Sequence, residues 1–512
     1  MHVIRILVIL ILVAGSVLAE KTFAQFQYDI VIANGRVMDP ETGLDAVRNV
    51  GINGQSVVAI SESPLHGDTE VDATGMVVSP GFVDLHAHGQ SALANEFQAM
   101  DGVTTALELE SGVPDLPTFL AMREGDAVIN YGASIAHGAL RTWSMPEYTE
   151  AFDNKDPESA WFRQPAAVPD AASDEMDDAL MKALSGTIFA ARYKELDPAN
   201  YPALWTRLQQ GLKDGAIGIG MVHQYYPGVS YDEIFRVFRF AREHETTIFT
   251  HVRETGVTGM QEVIANAIAT GASLHIVHMN SSSLWDYQTN LDIILGAAEH
   301  GADVTTEIYP YTAASTAIES PIFDEGWQDL LRISYDDIQW QDSGERLTEE
   351  TFNRYRAQGG TVIIHLMKEE WIRAQLADPR VMVASDGMPY ASGAHPRSAG
   401  TFSRFIGRYV RDQELMSLMA GLSRVTLMPA RRLESTAPQM KRKGRIQVGS
   451  DADITVFSYE NIIDTADFEG KLTHSKGVRY VLVNGKFAVW DGELVQGARP
   501  GQAIVGHYVR PD

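Results

Sequence analysis

Gly81-Phe82-Val83-Asp84-Leu85-His86-Ala87-His88 is the stretch from which the rest of the chain can be read. An apolar run ends in His-x-His. Side chains alternate along a strand, so His86 and His88 share one face at its C-terminal end. Two adjacent imidazoles suit a borderline divalent cation such as zinc. Further apolar runs also end in potential ligands. Ile248-Phe249-Thr250 is followed by His251, Leu274-His275-Ile276-Val277 by His278, and Val381-Met382-Val383-Ala384-Ser385 by Asp386. A lone histidine behind such a run is most often a hydrogen-bonded core residue. An ordered set describes one mouth fed by several strands.

The spacing of these runs sets the fold class. Strands are expected at 81–85, 104–109, 216–221, 247–250, 274–277, 304–308, 362–365 and 381–384, with helical patterns between several of them, as at 231–244 and 290–300. Repeated βα units across residues 80–430 predict an α/β fold, most simply a (β/α)8 TIM-like barrel. In such a barrel the C-terminal strand ends form the catalytic mouth. An open doubly wound sheet has the same period. No Gly-x-Gly-x-x-Gly turn follows the first of these strands, which counts against a dinucleotide fold. Residues 312–360, rich in acidic residues, Gln and Trp without clean periodicity, read as an insertion or lid over the active face. Residues 25–79 and 431–512 carry short strands around the turns Asn34-Gly35, Asn53-Gly54 and Asn484-Gly485, and read as one small β-sandwich built from both termini.

Residues 1–24 read as a signal peptide. His2 and Arg5 precede an apolar run from Ile6 to Val13, and small residues offer cleavage after Ala19 or Ala24. The run is too short to span a bilayer comfortably, so the expectation is an exported protein, periplasmic or secreted, with no stable membrane span after processing. Forty-one Lys and Arg against 67 Asp and Glu give −26, which repels phosphate backbones and argues against a nucleic-acid partner. The chain has no cysteine. That excludes disulfides, cysteine nucleophiles, thiolate metal sites and iron–sulfur clusters. One or two divalent ions would therefore be held by nitrogen and oxygen alone. Nothing in the sequence fixes an oligomeric state.

Two ions held close need a bridging anion. In Thr104-Thr105-Ala106-Leu107-Glu108-Leu109-Glu110, the two glutamates alternate onto one face, and Glu110 lies nearer the mouth. A buried carboxylate requires a cation or a hydrogen-bonded partner. Glu110 is read as the ligand, and Glu108 as the partner of an arginine. No lysine stands at a matching strand end, which disfavours a carboxylated-lysine bridge.

These residues carry a resemblance. His86-x-His88 after Pro80-Gly81-Phe82-Val83-Asp84, then His251, His278 and Asp386 in order, resemble the amidohydrolase superfamily, and within it the N-acyl-D-amino-acid deacylases (D-aminoacylases). Supporting segments run along most of the chain: Gly102-Val103-Thr104-Thr105, Tyr226-Pro227-Gly228, His251-Val252-Arg253, Tyr309-Pro310-Tyr311, His395-Pro396-Arg397 and Pro429-Ala430-Arg431-Arg432-Leu433. The resemblance implies a barrel with a β-sandwich, and hydrolysis of an amide bond by metal-activated water. It places His86 and His88 on one metal position, His251 and His278 on the other, and Asp386 as ligand and general base. It implies that Tyr309 and Arg397 bind the carboxylate of a small-molecule substrate. His137, Arg253 and Arg141 are expected beside them. The chain departs from the family twice. The family's cysteine ligand falls near Ser111, so Glu110 takes that role; and its usual lysine two residues after His278 is Asn280. Other amidohydrolase activities (cyclic amide or imide opening, a dipeptidase, a lactonase) share this ligand pattern. An inert binding protein is the reading from a different class.

Overall fold

The computed structural model describes residues 27–153, 189–391, 393–470 and 472–510. The expected signal peptide lies outside them. The chain begins with β1 (Gln27–Asp39), β2 (Leu44–Asn53), β3 (Ser56–Ser61), β4 (His66–Asp72) and β5 (Val77–Pro80). The barrel follows: β6 (Phe82–Asp84), β7 (Val103–Val113), β8 (Asn130–Ala136), β9 (Gly218–Val222), β10 (Thr247–His251), β11 (Ser273–Ile276) and β12 (Val304–Ile308). An insertion contributes β13 (Ala314–Ala317), β14 (Ile338–Trp340) and β15 (Thr361–Ile364) before the last barrel strand, β16 (Met382–Val383). Then come β17 (Ile454–Phe457), β18 (Val478–Val483), β19 (Lys486–Trp490) and β20 (Glu493–Leu494).

Eight parallel strands run in the order β16-β12-β11-β10-β9-β8-β7-β6. A parallel bridge between Ala87 and Gly387, with the His88 amide donating to the Gly387 carbonyl at 2.8 Å, joins the two edge strands. Closure thus falls at the His-x-His segment itself. Asp84 fastens the same seam, accepting from the Ser385 amide at 3.0 Å and from the His86 amide at 3.1 Å. Val83, Leu107, Leu109, Phe249, Val277 and Met382 form a buried cluster with Ala430, Leu433, Ala437, Met440 and Ile504. Helix Leu427–Leu433 and the C-terminal segment therefore help close the barrel's base. The Ile504 amide donates to the Tyr131 carbonyl at 2.7 Å, near the start of β8. The expected boundary at 431 is corrected accordingly: residues 431–440 and 501–507 belong with the barrel, because their apolar side chains and backbone groups are satisfied there.

The second layer is the β domain built from both chain ends. Strands from both chain ends form one hydrogen-bonded sheet of nine, ordered β20-β19-β18-β17-β5-β1-β2-β3, with β4 also on β1. The long β1 pairs with β4 through one half and β5 through the other, and its register against β2 shifts between Ile32 and Gly35. Ile30, Ile32, Val37, Val50, Val57, Ile454 and Leu482 form this sheet's own core.

Two strand expectations are corrected. Residues 362–365 are no barrel strand; β15 is the middle of the order β13-β15-β14. β8 supplies the eighth barrel strand and was not expected. The three-stranded sheet between β12 and β16 runs on to Ile364.

Candidate metal centre

β6 and β7 deliver the first ligand candidates. β7 loses its register against β8 between Glu108 and Val113, and this irregularity aims its two glutamates differently. Glu110 reaches the centre of the mouth. Its Oε2 lies 3.4 Å from His86 Nε2 and 3.3 Å from His88 Nε2. Its Oε1 lies 3.0 Å from His251 Nδ1 and 2.9 Å from His278 Nε2. Asp386 Oδ1 sits 3.4 Å from His86 Nε2 and 3.5 Å from His88 Nε2, while those two nitrogens are 3.2 Å apart. All six residues proposed from sequence as ligands therefore converge.

The spacing fits a cation. A tetrahedron with arms of 2.0–2.1 Å has edges of about 3.3–3.4 Å. His86, His88 and Asp386 stand 3.2–3.5 Å from one another, and Glu110 Oε2 stands 3.3–3.4 Å from the two histidines. The outer ring nitrogens are also engaged. His86 Nδ1 meets Glu307 Oε1 at 2.8 Å, and His88 Nδ1 meets Glu108 Oε2 at 2.8 Å. His251 Nε2 meets Gln224 Oε1 at 2.7 Å, and His278 Nδ1 meets Ser282 Oγ at 3.2 Å. Gln224 fixes the orientation of the His251 ring, whose Nδ1 faces Glu110. Such outer contacts orient metal-binding imidazoles.

The electrostatics agree. Burial alone would raise the Glu110 carboxyl, but the His86 charge and hydrogen bonds from His251 and His278 outweigh it and hold it far below the usual range. Burial likewise opposes Asp386 ionisation, yet Arg397 and His86 pull its pKa well down. Glu307 is lowered to about 2, His275 and His86 overcoming its burial. Against the same burial penalty, Asp386 and Glu110 push His86 well up. The pocket's negative field thus favours positive charge.

A cavity of about 430 Å³ opens over this cluster, in the usual range for a small-molecule site. His88, Glu110, His251, His278 and Asp386 line one side, Tyr225 and Arg192 another, and Ile322, Leu331, Ile364 and Leu366 of the insertion a third. The insertion therefore forms a wall of the site.

Several expected substrate contacts stand elsewhere. His137 does not line the cavity; it meets Glu233 at 2.9 Å, and Arg141 meets the same buried carboxylate at 2.9 Å. Arg253 forks onto Glu262 at 2.9 and 3.1 Å and donates to the Val229 carbonyl. Asn280 is buried behind the wall, its Nδ2 donating to the Tyr309 carbonyl at 3.1 Å. Each is occupied by a protein partner, which is the reason for the correction. Tyr309 and Arg397 are also buried. Arg397 Nη1 lies 2.9 Å from Asp386 Oδ2, and its guanidinium carbon 4.5 Å from the Tyr309 ring centre. Glu108 pairs with His88 instead of the expected arginine. Glu307 and Gln224 were missed by the sequence reading.

The sequence signature of the amidohydrolase family matches residues 69–489. The chain belongs to that family. It is a metal-dependent hydrolase. It is similar to the N-acyl-D-glutamate deacylase of Alcaligenes xylosoxydans xylosoxydans, 27% identical over 491 residues that cover 90% of this chain and 93% of that one. Its fold is similar to that of N-acyl-D-glutamate deacylase from Bordetella bronchiseptica, complexed with zinc and a phosphonate mimic of the tetrahedral intermediate (TM-score 0.72, 23% identity, 94% and 100% of the two chains). It is also similar to a D-aminoacylase with a binuclear metal centre (TM-score 0.72, 23% identity, 93% and 100%). In this family member histidines and carboxylates cluster at the mouth, with Ser111 beside Glu110.

Proposed function

We propose that this amidohydrolase cleaves the amide bond of N-acyl-D-amino acids, after export directed by residues 1–24. One observation carries the reading. Glu110 turns one oxygen to His86 and His88 and the other to His251 and His278, with Asp386 in the same cluster at the cavity. His86, His88 and Asp386 would hold one divalent ion, zinc by its donor set, and His251 and His278 a second, with Glu110 between. An ion held there lowers the pKa of water from ~15.7 to about 7 and polarises a carbonyl. Asp386, kept ionised by its surroundings, accepts the proton of the attacking water. As the C–N bond breaks, it delivers that proton to the leaving nitrogen.

A substrate carboxylate is favoured by unsatisfied donors. Arg397 Nε and Ser315 Oγ are buried without a hydrogen-bond partner among the described residues, and Ser315 lines the cavity. An arginine fork and a hydroxyl suit a carboxylate. Purified, zinc-loaded enzyme is therefore expected to release amine from N-acetyl-D-amino acids in preference to the L-isomers. Asp386→Asn is expected to keep most of its metal and lose about 10²- to 10⁴-fold in turnover. Full activity in that variant, or no release from any N-acyl amino acid by the metal-loaded enzyme, would overturn the reading.

A further inference from the structure

Arg192 is the one lysine or arginine among the described residues that line the cavity. Its Nε is buried without a partner, and its side chain forms no hydrogen bond or ion pair among the described residues. Tyr226 and Phe189 flank the guanidinium, whose carbon lies 5.6 and 5.3 Å from the two ring centres. Aromatic faces hold an arginine in place and leave its charge and its fork free for an anion. The segment that carries it is fixed to the β9 side of the mouth. The Arg192 carbonyl accepts from the Gly228 amide at 2.8 Å, and a Cβ on Gly228 would run into the backbone of Tyr193 and Lys194.

The barrel order puts this arginine across the mouth from Arg397. In the closed ring, β8 and β9 stand opposite β16 and β12. Asp386 and Tyr309 follow β16 and β12, and Arg397 touches both. The metal-ligand candidates lie between the two ends. On the Arg192 side the cavity lining includes Gly112, Ala136, Gly138 and Ala139, small residues that leave room for a chain. The direction of cleavage assigns the two halves of an N-acyl substrate. Asp386 hands its proton to the leaving nitrogen, so the amino-acid half lies on the Asp386 side, its carboxylate toward Arg397 and Ser315. The acyl half then points across the mouth, toward Arg192.

We infer that the preferred acyl group itself ends in a carboxylate, as a succinyl or glutaryl chain does, and that Arg192 is the residue that selects it. The bond broken is the same amide C–N bond; water adds across it, and the products are an amino acid and a dicarboxylate. The inference rests on the deacylase reading above and names the class of acyl group.

The test compares N-succinyl-D-leucine with the same compound carrying a carboxamide in place of the terminal carboxylate. Leucine suits the apolar wall of Ile322, Leu331 and Leu366. Amine release by the zinc-loaded full chain reads kcat/KM for each. The carboxylate is expected to be preferred about 10- to 100-fold, chiefly through KM. Arg192→Gln is expected to erase most of that preference, and Arg192→Lys to keep part of it, since an ammonium retains the charge without the fork. Equal cleavage of the two compounds, or a preference that survives Arg192→Gln, overturns the inference. So does an Arg192-dependent preference for N-acetyl-D-glutamate over N-acetyl-D-glutamine, which would put the second carboxylate on the amino-acid half. Release of amine from none of these compounds removes the deacylase reading, and calorimetry then decides the anion site by itself. Tighter binding of the succinyl compound than of its carboxamide, lost in Arg192→Gln, upholds Arg192 as the receptor; equal binding removes that as well.

Discussion

His278 and Asp386 hold left-handed backbone, with φ at 29° and 50°. Such conformations cost a non-glycine residue of order 1–3 kcal/mol and persist where surrounding structure enforces them. Here two strand ends turn sharply so that a ligand candidate faces the mouth. Arg397 is coupled to one of them through its 2.9 Å contact with Asp386 Oδ2. A residue that only held a substrate carboxylate would change KM when removed. Arg397→Ala is instead expected to lower kcat by about 10- to 100-fold as well as raise KM, because Asp386 loses the cation that orients it. Steady-state kinetics with N-acyl-D-amino acids read the split; an unchanged kcat would confine Arg397 to binding. The ligand candidates were legible because each follows an apolar run. Glu307 offered that signal too, a carboxylate inside Val304-Thr305-Thr306-Glu307-Ile308. Gln224 offered none: it lies in the turn His223–Tyr225 after β9, and only the fold brings it to His251. His137 and Arg253 misled for the converse reason. Their motif positions were right for the mouth, but Glu233 and Glu262 lie elsewhere in sequence and claim them.

At the scale of elements, the site depends on how closely β9 approaches β7. Gly220 permits this approach. A Cβ there would run into the backbone carbonyl of Glu110 and Ser134 Oγ. Gly220→Ala must therefore push apart the two strands that carry Glu110 and the Gln224 turn. Overpacking of this kind costs about 1–3 kcal/mol. The expected outcome is a lower denaturation midpoint together with weakened zinc binding. Loss of stability with unchanged zinc binding would show that β7 absorbs the strain without moving Glu110. Period and turn signals revealed seven of the barrel strands, and chance supplied the count of eight. Residues 362–365 have the apolar look of a buried strand, and they are one, but in the insertion's sheet. β8 (Asn-Tyr-Gly-Ala-Ser-Ile-Ala) mixes Asn, Gly and Ser into a fully buried element, so composition hides it. Its polar groups are satisfied internally: Asn130 Nδ2 meets Asp453, and Ser134 Oγ donates to the Leu109 carbonyl.

At the scale of the molecule, the chain ends return to the barrel, and one buried acid records that convergence. Asp101 follows helix Ala92–Met100 and precedes β7. Its carboxylate accepts from the amides of Phe402 and Ser403, in the helix Arg397–Arg404, and from the Ser475 hydroxyl near β18. It thus ties the barrel's first layer to the helix that begins with Arg397 and to the C-terminal sheet. Burial pushes its pKa up from 3.8 to about 7, against the pull of Ser403, Phe402 and Ser475. The sign of the pH effect follows. Between those two values the folded chain retains a proton that the unfolded chain has released, so stability is greatest at the acid end and falls as pH rises through about 7. The slope from one such group is at most ~1.4 kcal/mol per pH unit. Ligand histidines shed their cation as pH falls and impose a trend of opposite sign, so the absolute curve is a sum. The difference between wild type and Asp101→Asn isolates the term, because the ligand set is common to both. Asp101→Asn is expected to be the less stable protein at pH 5, since its amide NH2 faces donors. Its deficit should shrink steadily toward pH 8, as the wild type loses the advantage of its bound proton. Denaturant midpoints measured across that range decide it. A deficit independent of pH would mean that Asp101 stays ionised throughout, held by its three donors, and that the junction is stabilised by a buried carboxylate.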